Sequence, residues 1–506
     1  MDDMKKMSLL TALSMIVILL IGGISTYFFM TRNPMTGNRS MGSMMDSKNH
    51  SMMDMGKGEM GHGTAVDLEQ SNEVTKPLKI PQMLKPDHQD QQNVHYTVLA
   101  QEGETSFFSK GSQTKTFGYN GNYLGPVIQL EKGKTVTIRT VNRLSEPTTF
   151  HWHGLVVPSS VDGGPHQLVQ AGEQKEVTFK VQQDEATLWF HPHPMGETAA
   201  QVYKGLAGLM YVTDSSSTFS LPKAYGKNDI PVILQDRTFQ KDHQLKYKES
   251  ENPDGMLGQT LVVNGTIHPY FDVKYDQIRL RFVNGSNARN YSIKLSDGST
   301  FTQIAGDGGY VSKAQKKTTL ALSPGERAEV LIDFSHKKPG ESLSLKQGNI
   351  DILTFRVKEK QKTGVNNVQL KKTRENEQTT DTKADRKFVL FGMGKHVEIN
   401  GKKFDEKRVD VRVKQNAIET WEIYNKKDMM GGMIHPFHIH GVQFKVLERD
   451  GKRVNHQKDG LKDTIAVRPG EHVKIQMTFK EKGLFMYHCH ILEHEDNGMM
   501  GQLEVN

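Results

Sequence analysis

The sequence has little cysteine: one residue in 506, Cys489. A single cysteine forms no intrachain disulfide, and it cannot supply a Cys₂His₂ or a Cys₄ zinc site. Three roles stay open for it: a buried inert thiol, a catalytic nucleophile, or one thiolate in a mixed metal site. The surrounding segment at 484–500, LFMYHCHILEHEDNGMM, bears on this choice because it places the thiol between two histidines.

A concentrated basic patch is also missing, although the formal net charge is +7. The lysines are scattered among acidic residues, and no segment interleaves aromatic and basic residues as nucleic-acid-binding surfaces do. We therefore expect a solvated surface and no nucleic-acid partner. A chain of this length has room for about two to four domains, each with its own core.

Charge is absent from residues 7–31, which are dominated by apolar side chains. A run of that length crosses the hydrocarbon core of a bilayer at about 1.5 Å per helical residue, and two lysines precede it. It predicts an uncleaved membrane anchor that leaves the rest of the chain on the outer, extracytoplasmic face. Removal as a signal peptide, followed by secretion, is the alternative.

Methionine, in contrast, is abundant in residues 40–63, SMGSMMDSKNHSMMDMGKGEMGHG. The glycine, serine and aspartate content of this segment predicts a flexible linker. An exposed linker has no use for apolar thioethers, whereas thioethers are soft ligands that suit Cu(I). We interpret the segment as a Cu(I)-binding tether, which together with the anchor makes up residues 1–65.

From residue 66 onward the chain consists of short segments rich in Val, Ile, Thr and Phe, typical of an all-β protein. A repeat of about 145 residues is visible in it. Each copy contains an Asn-Gly pair and a later Gly-Glu turn, which begin at Asn120 and Gly172, Asn264 and Gly325, and Asn400 and Gly470. The repeat predicts domains at 66–215, 216–372 and 373–506, the second ending in a charged linker at 358–387.

Four His-x-His pairs lie in the first and last copies, and the middle copy has none in the matching places. The pairs are His151 and His153, His191 and His193, His438 and His440, and His488 and His490. On a strand, residues i and i+2 face the same side, so each pair presents two imidazoles to one place. Eight such imidazoles cannot stay together unligated without a large electrostatic or desolvation cost. They predict a metal cluster between the first and last domains, with the middle domain as a spacer.

The same alternation suggests a role for Cys489. If its two flanking histidines face the cluster, the thiol faces the opposite way, into the third domain. There it can join His494 and Met499, and His435 is free to complete the His₂Cys set with a weak axial methionine that is typical of blue copper sites. The cysteine then links a one-electron site to the histidine cluster through a few covalent bonds.

With these motifs the chain resembles the multicopper oxidases. HWHG, HPH, HPFHIHG and HCHxxxHxxxxM are similar to that family's four copper-binding segments and occur in the same order, over about residues 66–506. The resemblance implies three cupredoxin-like Greek-key β-sandwich or barrel domains and four copper ions. The implied ligands are His435, Cys489, His494 and Met499 for the type 1 copper, His151 and His438 for the type 2 copper, and His153, His191, His193, His440, His488 and His490 for the type 3 pair.

The resemblance also implies an activity, the four-electron reduction of O₂ to water by electrons that arrive one at a time. Asp162 and Glu495 match the family's proton-relay acids, and Cys489 its electron-transfer residue. Without the resemblance, each acid has an ordinary structural explanation. Asp162 would be a turn-forming residue before two glycines, and Glu495 would be a charged residue on the surface. We expect a monomer with O₂ and a reductant as its partners.

The reductant is open between two classes. Within the family the chain is most similar to bacterial copper-resistance cuprous oxidases, and a candidate Cu(I) substrate site precedes the HPFHIHG segment. Its residues are Asp428, Met429, Met430 and Met433. Two features depart from those oxidases: the linker at 358–387 has no methionine, and Gly431 stands where an aspartate is expected. A laccase-like oxidase of phenols or aromatic amines is the first alternative, and a copper-buffering protein without turnover is the second.

Overall fold

The computed structural model describes residues 66–217, 219–248, 252–363, 383–429, 431–455 and 460–506. Within these ranges strands dominate, accompanied by two short helices and one 3₁₀ turn. The all-β prediction is therefore confirmed for the described residues. None of their helices has the length and apolar character needed to cross a bilayer. The predicted anchor at 7–31 and the tether at 40–63 lie outside the described residues.

The first β-region pairs a five-stranded sheet with a three-stranded one. In chain order, the elements from the start of the described residues to the end of this region are β1 (Lys76–Pro77), β2 (His88–Gln89), β3 (Asn93–Thr105), β4 (Thr114–Tyr119), β5 (Val127–Glu131), β6 (Thr135–Asn142), a 3₁₀ turn (Ser159–Val161), β7 (Gln174–Lys180), β8 (Ala186–Phe190), helix α1 (Thr198–Lys204) and β9 (Gly208–Thr213). The sheet orders are β2-β3-β6-β7, with β4 on β3, and β5-β9-β8. Alternate residues of β3 are buried, and they share one apolar core with β5, β8 and β9.

The middle β-region is a sandwich of seven and six strands. Its strands are β10 (Asp229–Arg237), β11 (Thr260–Val263), β12 (Thr266–Ile267), β13 (Pro269–Tyr275), β14 (Gln277–Asn284), β15 (Tyr291–Leu295), β16 (Phe301–Gly306), β17 (Gly309–Lys317), β18 (Leu320–Leu322), β19 (Arg327–Asp333), β20 (Ser342–Gln347) and β21 (Ile350–Gln361). The sheet orders are β12-β11-β10-β14-β19-β16-β17 and β1-β13-β21-β20-β15-β18. Strand β1 joins this region from the N-terminal side, pairing in parallel with β13.

The last β-region combines a six-stranded and a five-stranded sheet. Its elements are β22 (Arg386–Met393), β23 (His396–Ile399), β24 (Val411–Val413), β25 (Ile418–Asn425), β26 (His435–Ile439), β27 (Phe444–Arg449), β28 (Lys452–Arg453), β29 (Thr464–Val467), β30 (His472–Thr478), β31 (Gly483–Cys489), helix α2 (Leu492–Asp496) and β32 (Met500–Val505). The sheet orders are β23-β22-β25-β30-β27-β28 and β24-β32-β31-β26-β29. Trp421 and Phe437 lie in the core between the sheets, and Cys489 and Met499 belong to the same core.

The repeated motifs have one structural role in all three regions. The asparagines of the Asn-Gly pairs adopt positive φ angles of 53°, 49° and 54°, which asparagine tolerates better than most residues. Each side chain accepts a hydrogen bond from an earlier strand: Asn120 from Leu99 N–H, Asn264 from Ile233 N–H, and Asn400 from Val389 N–H. The recurrence supports three copies of one unit, while the boundaries at 215/216 and 372/373 stay predictions.

Candidate metal centres

Strands β26 and β31 divide the residues of the last β-region between two sites. They pair antiparallel with Phe437 opposite Cys489 and His438 opposite His488. Because side chains alternate across a strand, His438 and His488 share one face of the sheet, and Cys489 lies on the other. This is the division that the His-Cys-His motif predicts.

The first β-region brings its histidines to the same cluster through a local strand pairing. His151 and His191 form an isolated antiparallel bridge, in which the His151 N–H donates to His191 O at 2.9 Å and the reverse bond measures 3.1 Å. The two His-x-His segments of this region therefore lie side by side. Their rings meet those of the last β-region, since His153 stacks on His438 at 3.8 Å and His151 on His440 at 3.8 Å between centroids.

A mononuclear site lies on the Cys489 side of the sheet. The Cys489 Sγ is 3.5 Å from His435 Nδ1 and 4.0 Å from His494 Nδ1, and the three side chains are buried. Met499 is also fully buried, and its carbonyl accepts a hydrogen bond from the Cys489 N–H at 3.0 Å. The His494 Nε2–H donates to Pro253 O of the middle β-region at 3.0 Å, which leaves Nδ1 as the lone-pair nitrogen facing the thiol.

The eight-histidine cluster lies on the opposite face. His488 Nε2 is 3.1 Å from His440 Nε2 and 3.2 Å from His193 Nε2, and His153 Nδ1 is 3.3 Å from His490 Nε2. The cluster contains three groups of three histidines, and within each group the ligand nitrogens lie within 4.8 Å of one another. The members of these groupings are His151, His153 and His191; His151, His438 and His440; and His193, His440 and His488.

The nitrogens that face the cluster fit bound metal ions. The Nε2 atoms of His151, His191 and His438 are buried without a hydrogen-bond partner. Buried polar atoms of this kind are costly unless something satisfies them, and imidazole nitrogen suits copper. The thiol of Cys489 and the imidazoles of His435 and His494 are the trigonal His₂Cys donor set of a one-electron copper site, and Met499 lies buried in the same core. The residues present therefore fit copper at both sites.

Burial prepares the histidines for metal binding by keeping them neutral. Desolvation, reinforced by neighbouring imidazoles, lowers the pKa of His440 and of His490 to about 3. Desolvation lowers the pKa of His494 to about 4 in the mononuclear site. Neutral imidazole is the form that binds metal, so these sites are ready to load at neutral pH.

The two predicted relay acids both touch cluster histidines. Asp162 Oδ2 accepts from His440 Nδ1 at 2.7 Å and lies 3.4 Å from His151 Nδ1. Burial favours protonation of this carboxyl, but the adjacent imidazoles hold the pKa of Asp162 well below its usual range. Glu495 is equally buried, 3.1 Å from His488 Nδ1 and 3.3 Å from His193 Nδ1, and these imidazoles likewise hold its pKa low.

One acid at the cluster was missed by the sequence analysis. Asp463 Oδ1 lies 3.1 Å from His153 Nε2, and the Asp463 carbonyl accepts from His438 Nδ1 at 2.8 Å. Its partner is Arg327 of the middle β-region, with Arg327 Nη1 2.6 Å from Asp463 Oδ1. In sequence the pair consists of two unremarkable charges 136 residues apart, and no local pattern signals their contact.

The candidate Cu(I)-site residues are found in different surroundings. Met429 is fully exposed, whereas Met433 packs against the core that contains Cys489. Asp428 is half-buried, and its carbonyl accepts from the Gly431 N–H at 3.3 Å. Met430 lies outside the described residues. The structure thus places Met433 of this loop against the core of the last β-region.

The lowered histidine pKa values give a testable pH dependence for the metal-free protein. Histidine takes up a proton near pH 6.5 in the unfolded chain, but His440, His490 and His494 do so only near pH 3 to 4 when folded. Below pH 6.5 the unfolded state therefore binds more protons, and stability falls as the pH is lowered towards 4. Denaturant melts of metal-free protein should show a loss of at least about 1.4 kcal/mol per pH unit, the value for one proton.

The exposed His472 provides the control for that titration. His472 lies on the surface beside Glu422, so the His472→Gln variant should leave the slope below pH 6 largely in place. A free energy of unfolding that stays constant between pH 6.5 and 4 in the metal-free protein would contradict burial of neutral histidines.

Comparison with known proteins assigns the family. Multicopper oxidase family models match residues 100–217, 228–349 and 366–506. A multicopper oxidase of Staphylococcus epidermidis is 44% identical over 462 residues, covering 91% of this chain and all of the relative. A crystal structure of a laccase from Pediococcus acidilactici is 43% identical with a TM-score of 0.83, covering 87% of this chain and 95% of that one.

A second solved structure is a more distant relative. The Campylobacter jejuni multicopper oxidase, described as a metallo-oxidase, is 28% identical with a TM-score of 0.74, covering 87% of this chain and 98% of that one. The predicted cupredoxin-like fold is confirmed by these matches. With its two groups of buried copper-fitting ligands, the chain belongs to the multicopper oxidase family, and it is an oxidoreductase that uses copper, O₂ and a reducing substrate.

Proposed function

We propose that the protein couples four one-electron oxidations to the reduction of O₂ to water, with four copper ions. The strongest support is the position of Cys489. Its Sγ lies beside His435 and His494, while the residues before and after it in sequence, His488 and His490, belong to the cluster. Bound copper supplies one-electron redox chemistry at the mononuclear site and O₂ reduction at the cluster. The ligand assignment of the sequence analysis is retained in full as part of this proposal.

Cys489 is the electron-transfer residue in this proposal. Its side chain and the backbone to His488 and His490 make the shortest covalent path between the two faces of β31. The His488 Nδ1–H also donates to Cys489 O at 3.0 Å, a hydrogen bond that joins the two residues a second time. A rigid, fully buried connection keeps the distance between the sites constant.

Asp162 and Glu495 are the proton-relay residues. Reduction of O₂ to water consumes four protons, and a buried cluster needs side chains that carry them in from outside. Asp162 approaches from the first β-region and Glu495 from α2, each in contact with two cluster imidazoles. Both carboxyls are ionised at neutral pH, so each accepts a proton before passing it on.

Cu(I) is the substrate that we favour, in a role of copper tolerance. The support is the exposed thioether of Met429 and the position of Met433 between that loop and the core containing Cys489. The metallo-oxidase description of the Campylobacter jejuni relative agrees with this class of substrate. A laccase-like oxidation of phenols or aromatic amines is the second candidate, favoured by the similarity to the Pediococcus acidilactici laccase. Copper buffering without turnover is the third.

Oxygen uptake with two reductants separates these candidates. Copper-loaded protein should consume O₂ rapidly with Cu(I), and it should oxidise a simple diphenol only when Cu(II) is added as a mediator. Fast diphenol oxidation without added Cu(II), together with slow Cu(I) turnover, would reject the cuprous oxidase in favour of a laccase. Absence of uptake with either reductant would favour buffering.

Substitution of the loop methionines gives a sharper test. Met433→Leu removes a soft ligand but keeps the apolar volume, so Cu(I) oxidation should fall about tenfold, equal to about 1.4 kcal/mol of lost transition-state binding. Diphenol oxidation should change little, and Met195→Leu, at an exposed methionine of the first β-region, is the control. Equal losses with both reductants would mean that Met433 only packs near the mononuclear site.

An extracytoplasmic location completes the proposal. Copper detoxification and O₂ chemistry outside the cytoplasm agree with the charge-free run at 7–31 and the methionine-rich tether at 40–63. Anchoring by residues 7–31, secretion after cleavage, and the monomeric state stay predictions.

A further inference from the structure

One of the eight cluster histidines has the opposite orientation to its neighbours. Six rings turn Nδ1 to an oxygen atom and so direct Nε2 into the cluster, with Nδ1 lying 2.7–3.3 Å from its oxygen. These six are His151, His191, His193, His438, His440 and His488. His153 does the reverse: its Nε2 lies 3.1 Å from Asp463 Oδ1 and 3.2 Å from Thr464 Oγ1, and its Nδ1 faces His490.

This reversal makes the ligand nitrogen of His153 depend on a side chain from another β-region. A neutral imidazole has one N–H and one lone pair, and the hydrogen bond at one nitrogen decides which is which. A carboxylate can only accept, so Asp463 fixes the proton on Nε2 and leaves the lone pair of Nδ1 facing the cluster. Thr464 can either donate or accept, so it does not fix the tautomer alone.

The middle β-region holds Asp463 in place. Arg327 is fully buried and contacts both Asp463 oxygens, at 2.6 Å from Nη1 to Oδ1 and with a shorter contact from Nη2 to Oδ2. Arg327 also donates to Gly325 O at 2.9 Å and to Asp307 O at 3.1 Å, so its own position is set by the middle β-region. The planar guanidinium matches a carboxylate through two parallel bonds, which a lysine cannot do.

The backbone of HWHG leaves room for this ion pair. Gly154 has a φ of +85°, and a Cβ atom there would lie 2.5 Å from Arg327 Nη2 and 2.6 Å from Asp463 Oδ2. The turn before β19 also packs against the cluster, because a Cβ on Gly325 would lie 2.8 Å from His490 Cδ2. Both glycines therefore lie where the middle β-region contacts the histidines. A domain that only separated the other two would not need such close contact with the cluster.

We propose that Arg327 and Asp463 are positioning residues for the copper cluster, through which the middle β-region fixes His153 as an Nδ1 ligand. The proposal rests on the proposed copper assignment of His153. The middle domain, predicted from sequence to be a spacer, then determines how one of the two coupled copper ions is held.

The position of Asp463 predicts a selective defect. Asp463→Ala removes the acceptor from His153 but keeps the carbonyl that accepts from His438 Nδ1. Copper affinity at the coupled pair should therefore fall about 10- to 100-fold, as for other residues that orient a metal-bound histidine, and its near-ultraviolet absorption should be lost. The paramagnetic signal of the type 2 copper and the blue absorption of the mononuclear site should persist.

Three further variants and one control keep this test decisive. Asp463→Asn has the same size and serves if the alanine variant does not fold, since its amide cannot match both His153 and Arg327. Arg327→Met should give the same selective loss as Asp463→Ala, and Arg327→Lys a smaller one. Asp229→Asn is the matched control, because Asp229 is a buried carboxylate that accepts from Nε and Nη2 of Arg281, at 2.7 and 2.8 Å.

Chelator competition and absorption spectra of the copper-loaded variants decide the outcome. Selective loss of the coupled pair in the Asp463 and Arg327 variants, with Asp229→Asn unaffected, is the expected result. An unchanged coupled pair in Asp463→Ala or Asp463→Asn, or equal loss from Asp229→Asn, would overturn the proposal. Failure of the wild-type protein to show a coupled pair would refute the copper assignment itself, which distinguishes the two claims.

Discussion

The Cys489→Ser variant should lose the blue absorption of the mononuclear site, and its rate of O₂ uptake should fall more than about 100-fold. This loss exceeds the fall in activity that follows substitution of residues that only orient a metal ligand. The hydroxyl of serine is a harder and much less acidic donor than a thiol, so it replaces neither the copper bond nor the electron path. Burial raises the pKa of the Cys489 thiol well above its usual range, so copper itself must displace the proton.

The measurement is visible absorption and O₂ uptake of copper-loaded protein. The eight-histidine cluster does not use the thiol, so Cys489→Ser should still bind copper there. Met499→Leu is the matched comparison, because it removes only the weak axial donor and should keep both the blue colour and turnover. A serine variant that retains half of its O₂ uptake would show that electrons enter the cluster by another route.

The Glu495→Gln variant should retain copper but reduce O₂ about 10²- to 10⁴-fold more slowly, the usual contribution of a positioned proton-transfer group. Glutamine has nearly the same shape, but it keeps only one acceptor oxygen where Glu495 directs Oε1 to His193 and Oε2 to His488, and it carries no transferable proton. Single-turnover reoxidation of the reduced enzyme by O₂ measures this step apart from substrate oxidation.

Glu493→Gln is the matched control for that substitution. Glu493 is buried on the same helix, α2, but its Oε1 accepts from Asn287 Nδ2 at 2.7 Å and does not face the cluster. Its replacement should leave the rate of O₂ reduction within about threefold, because loss of a neutral-donor hydrogen bond costs about 0.5–1.5 kcal/mol and chiefly affects stability. Equal slowing by both variants would assign Glu495 to helix packing and remove it from proton transfer.

Strand alternation is the part of the site that could be predicted best. The spacing of His-Cys-His alone predicts two imidazoles on one face and a thiol on the other, and the pairing of β26 with β31 has that arrangement. The repeated Asn-Gly pairs likewise reveal three related units, since their positive φ angles recur at 120, 264 and 400. Local geometry of this kind is determined by neighbouring residues and is therefore visible in a sequence.

Long-range charge pairing could not be predicted in the same way. Arg327 and Asp463 are 136 residues apart and come from different β-regions, so no local pattern connects them. The acids of α2 illustrate the same difficulty: Glu493 binds Asn287, Glu495 meets the cluster, and Asp496 accepts backbone N–H groups at the start of α1. All three acids lie within one short helix, so their local sequence does not distinguish them. Only the packing of other regions around the helix gives each carboxylate its role.

In the proposed enzyme one cysteine joins a mononuclear copper site to a three-copper histidine cluster. Copper content per chain, combined with a spin count by electron paramagnetic resonance on oxidised protein, tests it most directly. We expect four copper ions per chain, with two giving separate paramagnetic signals and two silent because their spins are coupled. Fewer than four bound ions, or a spin count equal to the total copper, would contradict the arrangement of ligands derived from His435, Cys489, His494 and the eight cluster histidines.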